Sequence, residues 1–284
     1  MSFFTAACVQ LTSTGNVQEN LATATALIRE AAAAGADLIT TPEVTNMLEP
    51  DKAKARAQAQ LQEDDVTLRA FRDLATETET WILAGSLVIR KPDDERLANR
   101  SFLIRPDGEI AAQYDKIHMF DVELHTGETH KESRAYAPGE TAQLAETPWG
   151  LLGMTICYDV RFAHLYQQLA LAGAGILTVP AAFTATTGEA HWHTLLRARA
   201  IENGCFVIAA AQVGQHSEKR FTYGHSLIID PWGTVLADGG ETPGIITAKI
   251  DMQQVARRRQ QIPNLRNIRD FRLELPPASS KAAE

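Results

Sequence analysis

The stretch Gly153-Met-Thr-Ile-Cys-Tyr-Asp-Val-Arg-Phe162 is the one around which the chain is organised. With Leu151 and Leu152, its first half forms a short apolar run bounded by turn residues, which is the pattern of a buried strand. The run ends on a single thiol, so Cys157 is predicted to lie where a strand stops and the following backbone N–H groups can face a substrate. A free cysteine is usually a small packing residue, so this stretch alone leaves a nucleophile and a core thiol equally open.

Strand and helix patterns alternate on both sides of this stretch. A strand is predicted over Phe3 to Leu11, a helix capped by Asn16 over Val17 to about Ala34, and a second strand over Asp37 to Thr41. Further helices are predicted over 52–61, 66–78, 162–172, 190–203 and 252–260, and further strands over 81–89, 99–105, 109–114, 143–146, 151–156, 176–179, 206–212, 226–230, 235–237 and 245–250. The alternation predicts one α/β domain of four layers, with helices outside and sheets inside.

Residues 115–140 have few apolar periods, and we expect a long irregular segment there. Loops of this length inside a compact domain tend to be functional.

Composition and charge exclude several classes of protein. The formal net charge of −8 argues against a nucleic-acid partner. Three widely spaced cysteines, Cys8, Cys157 and Cys205, fit a reducing compartment better than a disulfide framework. The chain shows neither a signal-peptide pattern nor an unbroken apolar stretch of membrane-spanning length, so we expect a cytoplasmic protein with no membrane partner. A dinucleotide fingerprint and a Gly-x-Ser-x-Gly elbow are also missing.

Three chemistry-bearing side chains follow predicted strands. Glu43 comes after the strand that ends near Thr41, Lys116 after the strand that ends at Tyr114, and Cys157 after the central stretch. Ligands of open α/β sheets bind beyond the carboxyl ends of strands. Each residue alone has an ordinary explanation as a solvated or packing side chain. Together they supply a base, a cation and a nucleophile at equivalent places.

These positions resemble the three motifs of the nitrilase superfamily, the carbon-nitrogen hydrolases that use a Glu-Lys-Cys set. The matching segments are Pro42-Glu43, Asp115-Lys-Ile-His118 and Ile156-Cys-Tyr-Asp159, in the family's order. The resemblance implies the four-layer α-β-β-α sandwich of that family, with mixed sheets and outer helices. It also implies a single domain over residues 1–270, with residues 271–284 as an extension whose end, Ala278 to Glu284, is expected to be disordered.

Within the superfamily the sequence is most similar to the Nit branch, and there to the deaminated glutathione amidases. The similarity lies in Pro180 to Asn203, Ala209 to Gln212, Tyr223 to Ser226 and Asp230 to Gly233. It implies a metabolite-repair amidase that cleaves a small carboxylate-bearing amide to a carboxylate and ammonia through a cysteine thioester. The alternative is an ω-amidase acting on α-ketoglutaramate or succinamate. No metal or cofactor is implied, and members of the family commonly form homodimers or larger homo-oligomers.

The resemblance assigns a role to each catalytic residue. Glu43 is the base that activates Cys157, and Lys116 with the backbone N–H of Tyr158 would stabilise the oxyanion. The family has a second glutamate between the Lys and Cys motifs. Glu132 matches it and would hold Lys116 and orient the substrate, with Glu128 as the runner-up.

The resemblance also suggests substrate-binding residues. Arg161 matches a position that holds a substrate carboxylate in some branches, although a structural pair with Asp159 is the competing interpretation. Phe183 and Thr184 are expected to line the pocket, and Phe183 could equally belong to the core.

Two other readings of the chain remain open. His118 could form a protease-type dyad with Cys157, and the chain could be an interaction protein that keeps the fold without catalysis. A metal pair of His191 and His193 is not expected, because positions i and i+2 of a helix face apart.

Overall fold

The structure is a computed structural model, and it describes residues 2–123 and 127–276. The disorder predicted for Ala278 to Glu284 lies outside these residues. Within the described ranges, no helix combines the length and the apolar composition needed to cross a membrane.

The described residues form sixteen strands and six α-helices. The strands are β1 Phe3–Gln10, β2 Leu38–Thr40, β3 Trp81–Arg90, β4 Leu97–Ile104, β5 Ile110–Asp115, β6 Asp121–Glu123, β7 Thr129–Lys131, β8 Gln143–Thr147, β9 Gly150–Met154, β10 Ile176–Thr178, β11 Phe206–Ala209, β12 Val213–Ser217, β13 Arg220–Tyr223, β14 Leu227–Ile229, β15 Val235–Asp238 and β16 Gly244–Asp251. The helices are α1 Val17–Ala33, α2 Lys52–Gln58, α3 Val66–Thr78, α4 Ala163–Leu171, α5 Ala185–Asn203 and α6 Gln253–Gln261.

Two six-stranded mixed sheets form the centre of the fold. Their strand orders are β16-β1-β2-β3-β4-β5 and β15-β14-β11-β10-β9-β8. The central strands of each sheet are parallel, as in β1-β2-β3 and β9-β10-β11, whereas the outer strands pair antiparallel. The parallel strands therefore deliver their carboxyl ends to one edge of each sheet.

Side chains of β1 show how the layers are stacked. Ala6 and Cys8 belong to the buried cluster that includes the second sheet, whereas Ala7 and Val9 belong to the cluster that α1 and α3 cover. Successive residues of a strand point to opposite faces, so this sheet has the second sheet on one face and helices on the other. The α-β-β-α order expected from the sequence is confirmed.

Most predicted elements are confirmed, with small differences at their ends. Helix α3 has the predicted bounds, and Asn16 caps α1 by accepting from the N–H groups of Gln18 and Glu19. Helix α5 begins at Ala185, five residues earlier than predicted. Its early part contains Gly188, a poor helix former that is needed there because a Cβ would lie 2.3 Å from Tyr223.

Two hairpins were missed by the sequence-based prediction. Residues 115–140 are not wholly irregular, because β6 and β7 pair there and a 3-10 turn follows over Glu132–Arg134. Strands β12 and β13 form a second unexpected hairpin. Each of these strands has only three to five residues, too few for a recognisable alternation of apolar and polar side chains.

Candidate active site

Cys157 begins a short 3-10 turn, three residues after β9 ends at Met154. Its backbone N–H donates to the carbonyl of Pro180 at 2.9 Å, and its φ of 46° lies in the left-handed region. A non-glycine residue in this conformation is strained and persists only where its surroundings hold it. The thiol is nearly buried and forms a hydrogen bond with Glu43. The neighbouring N–H of Tyr158 makes no hydrogen bond to another described residue, so it is available as a donor.

Glu43 follows Pro42 at the end of β2, and its carboxylate is held from several sides. Oε1 accepts from Lys116 Nζ at 2.8 Å and from Asn99 Nδ2 at 2.8 Å. Oε2 accepts from the backbone N–H of Ala182 at 2.8 Å. These donors fix the carboxylate beside the thiol of Cys157, where it can accept the thiol proton.

Lys116 lies between two carboxylates. Its Nζ donates to Glu43 at 2.8 Å and to both oxygens of Glu132 at 3.0 and 2.9 Å. Glu132 also accepts from the N–H of Phe120 at 2.6 Å, which orients its carboxylate. The structure thus places Glu132 against Lys116, whereas Glu128 pairs with His130 at 2.6 Å.

Burial and charge set the protonation states of this cluster. Burial raises the pKa of Glu43, but the charge of Lys116 and the hydrogen bonds from Lys116, Cys157 and Ala182 outweigh it, so this pKa lies below its usual range. Burial lowers the pKa of Lys116, but the charges of Glu132 and Glu43 raise it well above its ordinary value. Burial and the charge of Glu43 raise the pKa of Cys157 well above its ordinary value. The resting site therefore holds a thiol, a carboxylate and an ammonium group.

The protonated resting thiol fits the role of Glu43 as the base, because Cys157 keeps its proton until Glu43 takes it. Slow alkylation of Cys157 by iodoacetamide would therefore not speak against catalysis, because only the thiolate is strongly nucleophilic.

Asn99 is a site residue that sequence reasoning missed. Its Nδ2 bridges Glu43 at 2.8 Å and Glu132 at 3.3 Å, and its Oδ1 is buried without a partner among the described residues. Asn99 begins a polar run, Asn99-Arg100-Ser101, between the apolar ends of β4, and this interruption of the strand is the sequence signal that could have identified it.

The predicted pocket residues are only partly brought together. Tyr158, Phe183 and Thr184 line the same cavity as Cys157. Phe183 is at the same time a core residue, with its ring 4.9 Å from that of Trp192. Arg161 is not among the lining residues, and its guanidinium lies 5.2 Å from the ring of Phe183. Its role in holding a substrate carboxylate stays a prediction.

The His118 side chain is held by Asp159 and Phe162. Its Nδ1 lies 2.7 Å from Asp159 Oδ1, and its ring stacks on Phe162 at 3.5 Å between centroids. Asp159 also accepts from the hydroxyl of Tyr114 at 2.7 Å and from the N–H of Ile156 at 2.8 Å. The carboxylate is thus occupied without Arg161, and the geometry gives no support to a dyad of His118 with Cys157.

His191 and His193 contact different neighbours. His191 Nδ1 lies 3.4 Å from both Nη atoms of Arg161, and His193 Nε2 lies 3.0 Å from Asp238. Among the described residues, one trio has ligand atoms close enough together to hold a metal ion, namely His193, His225 and Asp238. These side chains are already hydrogen-bonded to each other, and none of them lines the cavity.

The cavity has a volume of about 410 Å³. Its floor carries Glu43, Lys116, Glu132 and Cys157, and its other walls are largely apolar. Among the described residues, its rim contains four further cations, which are Lys52, Lys131, Lys219 and Arg220, and one further acid, Glu49. A cavity with this rim on a chain of net charge −8 favours an anionic ligand.

Comparison with known proteins gives a consistent result. The model of the carbon-nitrogen hydrolase family matches residues 5–260. A deaminated glutathione amidase from Synechocystis is 42% identical over 270 residues, which cover 94% of this chain and 98% of that protein. One from Mus musculus is 42% identical over 261 residues, covering 90% and 80%. The crystal structure of the C. elegans NitFhit protein superposes with a TM-score of 0.90 at 36% identity, and the match covers 95% of this chain and 66% of that chain.

Proposed function

Because the chain belongs to the carbon-nitrogen hydrolase family, we propose that it is an amidase that hydrolyses deaminated glutathione with Cys157 as the nucleophile. The observation that carries this proposal is the buried thiol of Cys157, hydrogen-bonded to the ionised Glu43 beside Lys116. The relatives that are 42% identical to this chain bear the name deaminated glutathione amidase, which supports the choice of substrate.

The reaction begins with attack on the amide carbonyl. Glu43 takes the proton of Cys157 as the S–C bond forms, and the carbonyl oxygen becomes an oxyanion. The Tyr158 N–H and Lys116 stabilise that oxyanion. Lys116 donates two N–H bonds to Glu132. One of these N–H groups can turn towards the oxyanion while the other stays bound to Glu132. One donor of this kind contributes about 2.7–4 kcal/mol to transition-state stabilisation.

The second half of the reaction reuses the same base. When the C–N bond breaks, protonated Glu43 gives its proton to the leaving amine, and a thioester on Cys157 remains. A water molecule, deprotonated by Glu43, then attacks the thioester. Collapse of that intermediate releases the carboxylic acid and restores the thiol.

The leaving group depends on which amide is bound. Deaminated glutathione is a secondary amide, so its hydrolysis releases cysteinylglycine together with 2-oxoglutarate. The ammonia expected from the sequence applies to primary amides such as α-ketoglutaramate and succinamate, the substrates of the alternative ω-amidase function.

The proposal is tested by measuring 2-oxoglutarate release from deaminated glutathione and ammonia release from α-ketoglutaramate and succinamate. We expect deaminated glutathione to have the highest kcat/KM. Quenched reactions should show a mass increase on Cys157 equal to the acyl group. A Cys157→Ala protein that still hydrolysed the substrate would contradict the proposed mechanism. Faster turnover of the primary amides would favour the ω-amidase function.

We further propose that residues 1–270 form a single domain and that the protein is cytoplasmic. We also propose that it forms a homodimer or a larger homo-oligomer. Three side chains of the C-terminal segment support the oligomer, because Phe271, Leu273 and Leu275 are 88%, 78% and 76% exposed. Such a row of exposed apolar side chains is typical of an interaction surface. Light scattering of the purified protein measures the oligomeric state, and a monomer at micromolar concentration would contradict this proposal.

A further inference from the structure

Arg220 reaches the active-site cavity from an element that the catalytic motifs do not include. It begins β13, and the cavity is also lined by Ser217 and Lys219 of the same hairpin. Buried His216 fixes the hairpin through contacts of 2.6 Å with the Ser13 carbonyl and 2.6 Å with the Thr222 hydroxyl. Arg220 therefore extends from a hairpin whose backbone is anchored by His216.

The guanidinium has one satisfied end and one unsatisfied end. Its Nη2 donates to the carbonyl of Ala182 at 2.7 Å. Its Nη1 is shielded from solvent and has no hydrogen-bond partner within residues 2–123 and 127–276. The Glu128 carboxylate lies 4.0 Å away, beyond hydrogen-bond distance, and it accepts from His130 instead. Nη1 therefore makes only a long ion pair and no hydrogen bond within the described residues, which is costly for a buried donor, so it is poised for an acceptor that arrives with the ligand.

Ala182 links this guanidinium to the catalytic base. The N–H of Ala182 donates to Glu43 at 2.8 Å, and its carbonyl accepts from Arg220. Glu43 gives its proton to the leaving amine, so the leaving group must lie on the Glu43 side of the scissile bond. Because Glu43 and Arg220 bind the N–H and the carbonyl of the same residue, at 2.8 and 2.7 Å, Arg220 lies within one residue of the catalytic base. A dipeptide leaving group spans about 7 Å when extended, so its far end can extend beyond the catalytic base.

We propose that Arg220 forms a subsite for a carboxylate carried by the leaving amine of the substrate. This inference rests on the proposed amidase function and names the part of the substrate that the cavity selects. In deaminated glutathione that carboxylate is the glycine carboxyl group at the end of cysteinylglycine. Nη1 donates to one carboxylate oxygen while Nη2 keeps its bond to Ala182. Lys219, on the same hairpin, adds positive charge at the rim of the cavity.

The test compares two substrates that share the same acyl group and scissile bond. One is deaminated glutathione, and the other is the same molecule with its glycine carboxylate converted to a primary amide. The wild-type protein should show a kcat/KM about 10- to 150-fold higher for the carboxylate, the value of one hydrogen bond to a charged group. In Arg220→Met this ratio should fall to about one. The loss should appear as a higher KM for the carboxylate substrate, and kcat should stay within about threefold of the wild-type value, because the contact is remote from the reacting atoms.

Two further variants complete the design. Arg56→Met removes an equal charge from an exposed position of α2 that does not line the cavity, and it should keep the wild-type ratio. Arg220→Lys keeps the charge but loses the planar fork, so it should keep only part of the ratio. Thermal melting shows which variants are folded. If Arg220→Met does not fold, Arg220→Lys decides, and an unchanged ratio in it overturns the inference.

The outcomes separate the two proposals. Equal turnover of both substrates by the wild-type protein, or an unchanged ratio in folded Arg220→Met, overturns the Arg220 subsite and leaves the amidase function standing. A wild-type protein that hydrolyses neither substrate contradicts the proposed function itself.

Discussion

Replacing Glu132 with glutamine tests the charge network around Lys116. Each Glu132 oxygen accepts from two donors, Oε1 from Lys116 and Asn99 and Oε2 from Lys116 and Phe120. A glutamine keeps one oxygen and turns an NH₂ group towards donors at the other position, whichever way the amide is placed. At least two hydrogen bonds are lost, and the negative charge that holds Lys116 is removed.

The magnitude follows from these contacts. A hydrogen bond to a charged group contributes about 1.5–3 kcal/mol, and the Lys116 side chain is only 2% exposed, so water does not replace the lost acceptor. If one such bond is lost from the transition state, kcat falls by about 10- to 150-fold at 1.36 kcal/mol per tenfold.

The assay is kcat for 2-oxoglutarate release at saturating deaminated glutathione, with Glu128→Gln as the matched control. Glu128 is the other glutamate of this segment, and it contacts His130 and not Lys116. Its variant should keep kcat within about threefold of the wild-type value, since it loses no bond to the reacting groups. A Glu132→Gln protein with near wild-type kcat, or an equal loss in Glu128→Gln, would refute the assignment. Thermal melting of both variants separates lost catalysis from lost folding.

Three other predictions follow from the site. Glu43→Gln should lower kcat by about 10²- to 10⁴-fold, the usual contribution of a general base. His118→Asn should lower kcat by less than about tenfold. Complete loss of activity in the His118 variant alone would favour a Cys–His dyad. The pH profile of kcat/KM should be flat through neutrality. The reaction needs the carboxylate of Glu43, whose pKa lies below its ordinary 4.5, and the thiol of Cys157, whose pKa lies above its ordinary 9.0. A loss of activity on the acid side centred near pH 6.5, where free histidine titrates, would contradict this. Gly85→Ala should destabilise the protein by about 1–3 kcal/mol as judged by chemical denaturation, because a Cβ would lie 1.8 Å from the Thr41 carbonyl oxygen and 2.6 Å from that of Pro42. Gly175→Ala is the control, because its Cβ would approach closely only the end of the flexible Met252 side chain, at 2.8 Å, and would meet Val255 at ordinary contact distance. Equal losses of stability in both variants would argue against a special packing role for Gly85.

The placement of Glu43, Lys116 and Cys157 after strands could be predicted because each signal is local. Apolar runs that stop at a proline or a polar residue mark where β2, β5 and β9 end. The contacts of these side chains depend on chain segments that are far apart in sequence. The N–H that holds Glu43 comes from Ala182, 139 residues away, and no local pattern contains that distance.

The short hairpins show the same limit from another side. Strands β12 and β13 are too short to produce a recognisable period, so Arg220 was not connected with the site. The hairpin is positioned by contacts with distant residues such as Ser13, 203 residues from His216. Its place at the cavity rim is a property of the packed molecule.

By itself, the sequence determined the α/β alternation, the three catalytic residue types at strand ends and the resemblance to the carbon-nitrogen hydrolases, because periodicity, turn chemistry and motifs are carried by neighbouring residues. Only the tertiary structure decided that Glu132 and not Glu128 meets Lys116, that His118 turns to Asp159, and that Cys157 rests as a thiol. These outcomes depend on sheet register and on burial, which arise only when the two sheets and their connecting loops are packed together.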